Sequence, residues 1–96
     1  GAVHFTKIVP AEGLADKGRL FNIGLLRPGC AVGVHGHKGE KEIYYILEGH
    51  GLYNDNGREV PVGPGDVTVC PDGESHGLLN NGDTDLKMAA LILFTK

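Results

Sequence analysis

Five histidines stand in the 96-residue chain, and two of them, His35 and His37, are separated by a single residue. On an extended strand successive side chains alternate between faces, so both imidazoles project from the same side. That is how a sheet offers two nitrogens to one cation. The Lys38-Gly39-Glu40-Lys41 segment can bend the chain, so that Glu42 returns on the next predicted strand to face the same point. There Glu42, Tyr44 and Ile46 share one face, and Ile43, Tyr45 and Leu47 share the other. His76 follows its own turn, Pro71-Asp72-Gly73, and can add a third imidazole from across a closed sheet. Three neutral imidazoles and one carboxylate suit a divalent transition metal. They do not suit calcium, which takes only oxygen, and they are not the thiolate set of a structural zinc. Taken alone, a His-x-His pair more often marks two solvated or internally satisfied histidines, and that reading stands beside the metal one.

The neighbouring polar residues each have a functional and a plain reading. Tyr44, on the face of Glu42, could serve as an acid–base group or bond a substrate, or it could be an ordinary cross-strand packing residue. Glu40 could be an alternative carboxylate ligand or a partner to one, but together with Glu74 it is expected to be a solvated loop charge. His50 lies between the turn glycines Gly49 and Gly51 and is expected to be exposed; His4 sits near a frayed terminus. Asn80 shares a predicted face with His76 and Leu78 and is expected to close a turn through its side chain. Cys30 and Cys70 are forty residues apart with no Cys-x-x-Cys spacing, which reads as two buried free thiols in a cytoplasmic protein. No Ser-His-Asp arrangement, phosphate-binding loop or dinucleotide motif is present.

Behind these residues must stand elements short enough to converge on one point. Sixteen glycines and five prolines punctuate the chain, which disfavours a helical bundle. Period-two runs at 20–26, 30–37, 42–47, 52–54, 58–62, 66–70, 76–80 and 86–94 are separated by turn signals such as Arg27-Pro28-Gly29, Asn56-Gly57 and Gly63-Pro64-Gly65. Only residues 10–19 suggest a helical turn. About eight short strands at intervals near ten residues predict an all-β sandwich or barrel, and the length allows one domain, residues 1–96. Nine basic against twelve acidic residues give a formal charge of −3 with no basic run, which argues against nucleic acid and anionic membranes as partners. The longest apolar run, residues 88–94, is far too short for a membrane-spanning helix.

The intervals between these residues resemble the two signature motifs of the cupin superfamily. In the first, residues 29–49, Gly29, His35, His37, Glu42 and Gly49 stand at the family's spacing. In the second, residues 65–80, Gly65, Pro71, Gly73, His76 and Asn80 do the same. The segment from His50 to Pro64 resembles the short spacer of small microbial single-domain cupins. Every signature position is filled. The resemblance implies a double-stranded β-helix, or jelly-roll barrel, and implies that His35, His37, Glu42 and His76 ligate one metal ion inside it. The intact Glu42 is unlike the thiol-dioxygenase branch, which typically lacks the carboxylate.

A divalent ion with three neutral histidines and one glutamate keeps a local charge of about +1, and octahedral geometry leaves two positions open. Such a centre suits a small anionic or bidentate oxygen ligand, and Mn, Fe, Co, Ni, Cu and Zn all accept this donor set. The expected function is that of a metal-dependent enzyme (oxygenase, isomerase or lyase) acting on a small oxygen-rich metabolite. A non-catalytic metal- or ligand-binding module is the alternative. A homodimer is expected, since a chain this short has a thin core and the outward row Ile43, Tyr45, Leu47 could pair subunits.

Overall fold

The computed structural model describes residues 3–95. Nine strands run through them: β1 (Val3–Val9), β2 (Gly18–Leu26), β3 (Ala31–Gly36), β4 (Glu40–Glu48), β5 (Gly51–Asp55), β6 (Arg58–Val62), β7 (Val67–Cys70), β8 (Ser75–Leu79) and β9 (Leu86–Phe94). A 3₁₀ turn, Ala11–Leu14, is the helical element expected between residues 10 and 19. The strands form two antiparallel sheets, one of order β1-β2-β9-β4-β7 and one of order β3-β8-β5-β6. Apart from the β1–β2 and β5–β6 pairs, consecutive strands lie in different sheets, which is the jelly-roll pattern the sequence predicts.

Alternation sets the core. On β4, Glu42, Tyr44 and Ile46 are buried, while Tyr45 and Leu47 are exposed. On β9, Leu86, Met88, Ala90 and Ile92 face inward, and on β2 the inward row ends at Leu26. Phe21, Ile23 and Leu25 share the outer face of β2, half-buried on the far side of the sheet. His4 is not frayed: it lies within β1, in register with Leu25 of β2.

Turns are cut by glycine where the backbone leaves no alternative. Gly49 closes β4 with φ +82°, and a Cβ there would strike the Asp85 carbonyl oxygen and Leu86 Cα. The Asn56-Gly57 hairpin has both residues at positive φ, 52° and 94°, the pattern of a tight hairpin turn whose twist matches its strands. Asn80 closes the β8–β9 turn, accepting from the Gly82 amide (3.0 Å) and donating to the Leu26 and Thr84 carbonyls. It is completely buried and is not near the candidate ligands' polar atoms in any hydrogen bond.

Candidate metal centre

The four predicted ligands meet at one end of the barrel interior. His35, next to last in β3, stands opposite His76 on β8, their Cα positions being directly paired across the strands. A register shift between Val32 and His35 bends β3 at this point. His37 lies one residue beyond β3, and the loop it begins is laced to the β7–β8 loop. The His37 amide donates to the Glu74 carbonyl (3.1 Å), the Gly73 amide to the His37 carbonyl (2.8 Å), and the Gly39 amide to Asp72 (2.8 Å). Thr95 ties the same rim, donating through its hydroxyl to Asp72 and through its amide to Gly39. Glu42 arrives from the opposite sheet on the inner face of β4.

Glu42 Oε1 lies 3.3 Å from His35 Nε2, 3.0 Å from His37 Nε2 and 2.9 Å from His76 Nε2. His76 Nε2 is 3.1 Å from His37 Nε2 and 3.2 Å from His35 Nε2. An ion about 2.1 Å from each donor sets adjacent octahedral ligands about 3.0 Å apart, so these separations fit a single cation. His37, Glu42 and His76 are buried and His35 is partly exposed, at the rim. The group could hold a metal ion.

The outer ring nitrogens strengthen that fit. His35 Nδ1–H donates to the Gly33 carbonyl at 2.8 Å, and His37 Nδ1–H donates to Glu40 Oε2 at 2.6 Å. A carbonyl and a carboxylate can only accept, so each imidazole has its proton on Nδ1 and turns the Nε2 lone pair inward. The outer nitrogen of His76 lies 2.7 Å from the Tyr53 hydroxyl.

Glu40 is therefore not a solvated loop charge. Arg19, at a bulge in β2, grips its carboxylate through two nitrogens at 3.0 and 2.9 Å, and the same carboxylate orients His37. The Arg19 fork, with a further contribution from His37, overcomes desolvation and holds the Glu40 carboxyl down at about 2. Burial pushes the Glu42 carboxyl up, but the His76, His35 and His37 rings around it outweigh that, leaving Glu42 below the usual carboxylate range. Glu74 bonds Asn56 Nδ2 at 2.6 Å, which docks the β5–β6 hairpin against the loop that delivers His76.

Tyr44 is buried beside the centre, its ring stacked on His76 with centroids 4.9 Å apart and planes 19° off parallel. Burial, followed by the nearby Glu42 charge, raises its pKa strongly. Tyr53 was not singled out in the sequence. Its signal is parity, since Gly51, Tyr53 and Asp55 share the inner face of β5, but its reach to His76 depends on the β5–β8 register. His50 is exposed and packs against Gly63, away from the centre.

The model of the Cupin domain family matches residues 22–94. The chain is a cupin. An oxalate-binding protein of Thermotoga maritima is 46% identical over 93 residues, covering 97% of this cupin and 77% of that protein. An uncharacterized protein of Methanocaldococcus jannaschii is 38% identical over 55 residues, 57% of this chain and 44% of its own. Among solved structures, a predicted oxalate decarboxylase from Thermotoga maritima superposes with a TM-score of 0.95 at 46% identity, covering 98% of this cupin and 82% of that chain. A conserved cupin barrel protein from Salinispora arenicola gives 0.82 at 26% identity, covering 97% and 76%.

Proposed function

We propose that this cupin is a divalent-metal protein that binds small bidentate oxyanions of the oxalate type. The observation that carries the reading is the convergence of one carboxylate oxygen and three imidazole Nε2 atoms, 2.9–3.3 Å apart in the five pairs given above, with two of the imidazoles locked in the ligating tautomer from outside. His35, His37, Glu42 and His76 would hold one Mn, Fe, Co, Ni, Cu or Zn ion, whose charge attracts and polarises a chelated dicarboxylate. Glu42 cancels one unit of that charge, so a dianion still meets a net positive centre. The name of the Thermotoga maritima relative supports oxalate as the first ligand to test.

Binding is favoured over turnover because Tyr44, the acid–base candidate, is fully enclosed and its burial raises its pKa strongly, which keeps its proton in place. In this reading Tyr44 supports His76 by stacking. Isothermal titration of oxalate into Mn²⁺-loaded and chelator-stripped protein tests the proposal. Heat of binding is expected with the loaded protein only, with acetate at least about tenfold weaker because it lacks the second carboxylate. Equal binding by the stripped protein, or none by the loaded one, overturns it. Carbon dioxide and formate released by the loaded protein would replace the binding reading with the enzymatic one.

We further propose a homodimer paired through the outer face of the five-stranded sheet. Support comes from Tyr45, Leu47, Val67 and Val69, all exposed, with Tyr45 in register with Val67 and Ile43 with Val69. Light scattering at micromolar concentration should give twice the chain mass, and Tyr45→Lys should return the monomer. The free thiols of Cys30 and Cys70 support placement in the reducing cytoplasm.

A further inference from the structure

Asn22 and Lys7, on the inner face of the five-stranded sheet, are left without polar partners among the described residues. Asn22 lies on β2 and is only 8% exposed. Buried amides are ordinarily paired, so an unpaired one calls for a partner that the chain itself does not supply. Lys7 is its direct partner on β1, and residues paired across a ladder share a face. The rest of the row fixes which face this is. Val3, opposite Leu26, packs on the core, and Phe5, opposite Gly24, comes within 3.1 Å of where a Gly24 Cβ would stand. Lys7 therefore stands on the inner side too, exposed and without an ion pair among the described residues.

The register sets this pair beside the candidate centre. Leu20, Ile92 and Glu42 form one transverse row across β2, β9 and β4, and Asn22, Ala90 and Tyr44 form the next. Asn22 is thus one row from Glu42 and shares the row of the ring stacked on His76. Ala90, between Asn22 and Tyr44, is the smallest inward residue of β9. A cavity lined by residues of both β6 and β7 sets those two sheet edges side by side, so the opposite edges, β1 and β3, flank the other seam of the barrel. His35, the partly exposed member of the centre, is on β3. Arg19 cannot serve at this seam, because Glu40 occupies its fork.

We infer that Asn22 and Lys7 are specificity-determining residues, which hold the side of the oxyanion that is turned away from the metal. The inference rests on the oxyanion-binding reading above. A chelated dicarboxylate gives two oxygens to the cation and keeps two outward, and those two need donors. Asn22 Nδ2–H supplies one and the Lys7 ammonium the other. The charges agree. A centre of about +1 that takes a dianion is left at about −1, which Lys7 cancels.

Titration of oxalate into Mn²⁺-loaded variants tests this, with azide, which has no outer oxygens, as the second probe. Asn22→Leu, close in shape, is expected to bind oxalate about tenfold more weakly while keeping the wild-type affinity for manganese and for azide. Lys7→Gln is expected to weaken oxalate about fivefold at low salt, by a margin that shrinks as salt is added. Because Lys7 is on an exposed edge strand, its variant decides the matter even if Asn22→Leu fails to fold. Either variant binding oxalate as tightly as the wild type, or Asn22→Leu losing manganese or azide in equal measure, overturns the inference and leaves the oxyanion reading standing. A loaded wild-type protein that binds no oxalate sinks that reading and the inference with it.

Discussion

The barrel interior has two ends, built from the same strands and filled with opposite chemistry. β4 contributes Glu42 and Tyr44 to one end and Ile46 to the other; β8 contributes His76 and then, two residues on, Leu78. The far end is completed by Leu26, Leu86, Met88 and Ala90, all at 0% exposure, with no ionisable group among them. At the near end, by contrast, three imidazoles, two carboxylates and the Tyr53 phenol are linked by hydrogen-bond distances, with the Tyr44 phenol buried beside them. A fully buried leucine or isoleucine contributes about 1.5–3 kcal/mol, whereas polar groups taken from water at best recover their desolvation cost. The apolar end therefore holds the fold, and the polar end spends part of a thin core on a group that could hold a metal ion.

Exchanging damage between the ends would break this division if it is wrong. Glu42→Ala should lower metal affinity by about a thousandfold or more, roughly 4 kcal/mol, measured as metal content and by zinc titration. Its effect on metal-free stability should be small, because the lost carboxylate was buried among groups it only partly satisfied. Ile46→Ala, two turns of the pleat away on the same strand face, should cost about 2–5 kcal/mol of stability by cavity formation. In a domain of this size that lowers the melting temperature by more than about 8 °C. The folded fraction should still bind metal as the wild type does. A Glu42→Ala protein that unfolds, or an Ile46→Ala protein that folds but loses metal, would show the two ends to be one cooperative site.

The two ends were also unequally legible. Ile46, Leu78, Met88 and Ala90 follow from period-two burial once the strands are placed, because apolar alternation is a local signal. His35, His37, Glu42 and His76 were legible through spacing and strand parity together, since both fix which side chains leave the same face. The groups behind them were not. Glu40 is three residues from His37 and shares the parity of Glu42, yet its role depends on Arg19, which reaches it from β2 across the end of β9. Tyr53 meets His76 on a diagonal, since the register places Asp55 opposite His76 and Tyr53 opposite Leu78. Sheet order and register are long-range properties, and a period-two pattern constrains the face of a residue without naming its neighbour.

The Arg19–Glu40–His37 chain sharpens the comparison, because it joins the polar end to a strand that otherwise serves the apolar one. β2 starts at the metal rim, with Arg19 at its bulge, and ends at Leu26 in the apolar core. Glu40→Gln keeps an acceptor for His37 Nδ1–H but removes the charge that Arg19 grips. Metal affinity should fall about tenfold, some 1.4 kcal/mol, through a less basic His37 and a less firmly held ring. The Arg19 side chain is about half exposed, so the ion pair itself is screened and its loss should move the metal-free melting temperature by only a few degrees. Arg19→Gln leaves the Glu40 carboxylate on His37 and should produce the smaller loss of affinity. Zinc titrations of both variants, with melts of the stripped proteins, check the order. If Arg19→Gln instead destabilises the metal-free chain as much as a core cavity does, then Arg19 serves the fold at the rim and the boundary between the two ends lies beyond it.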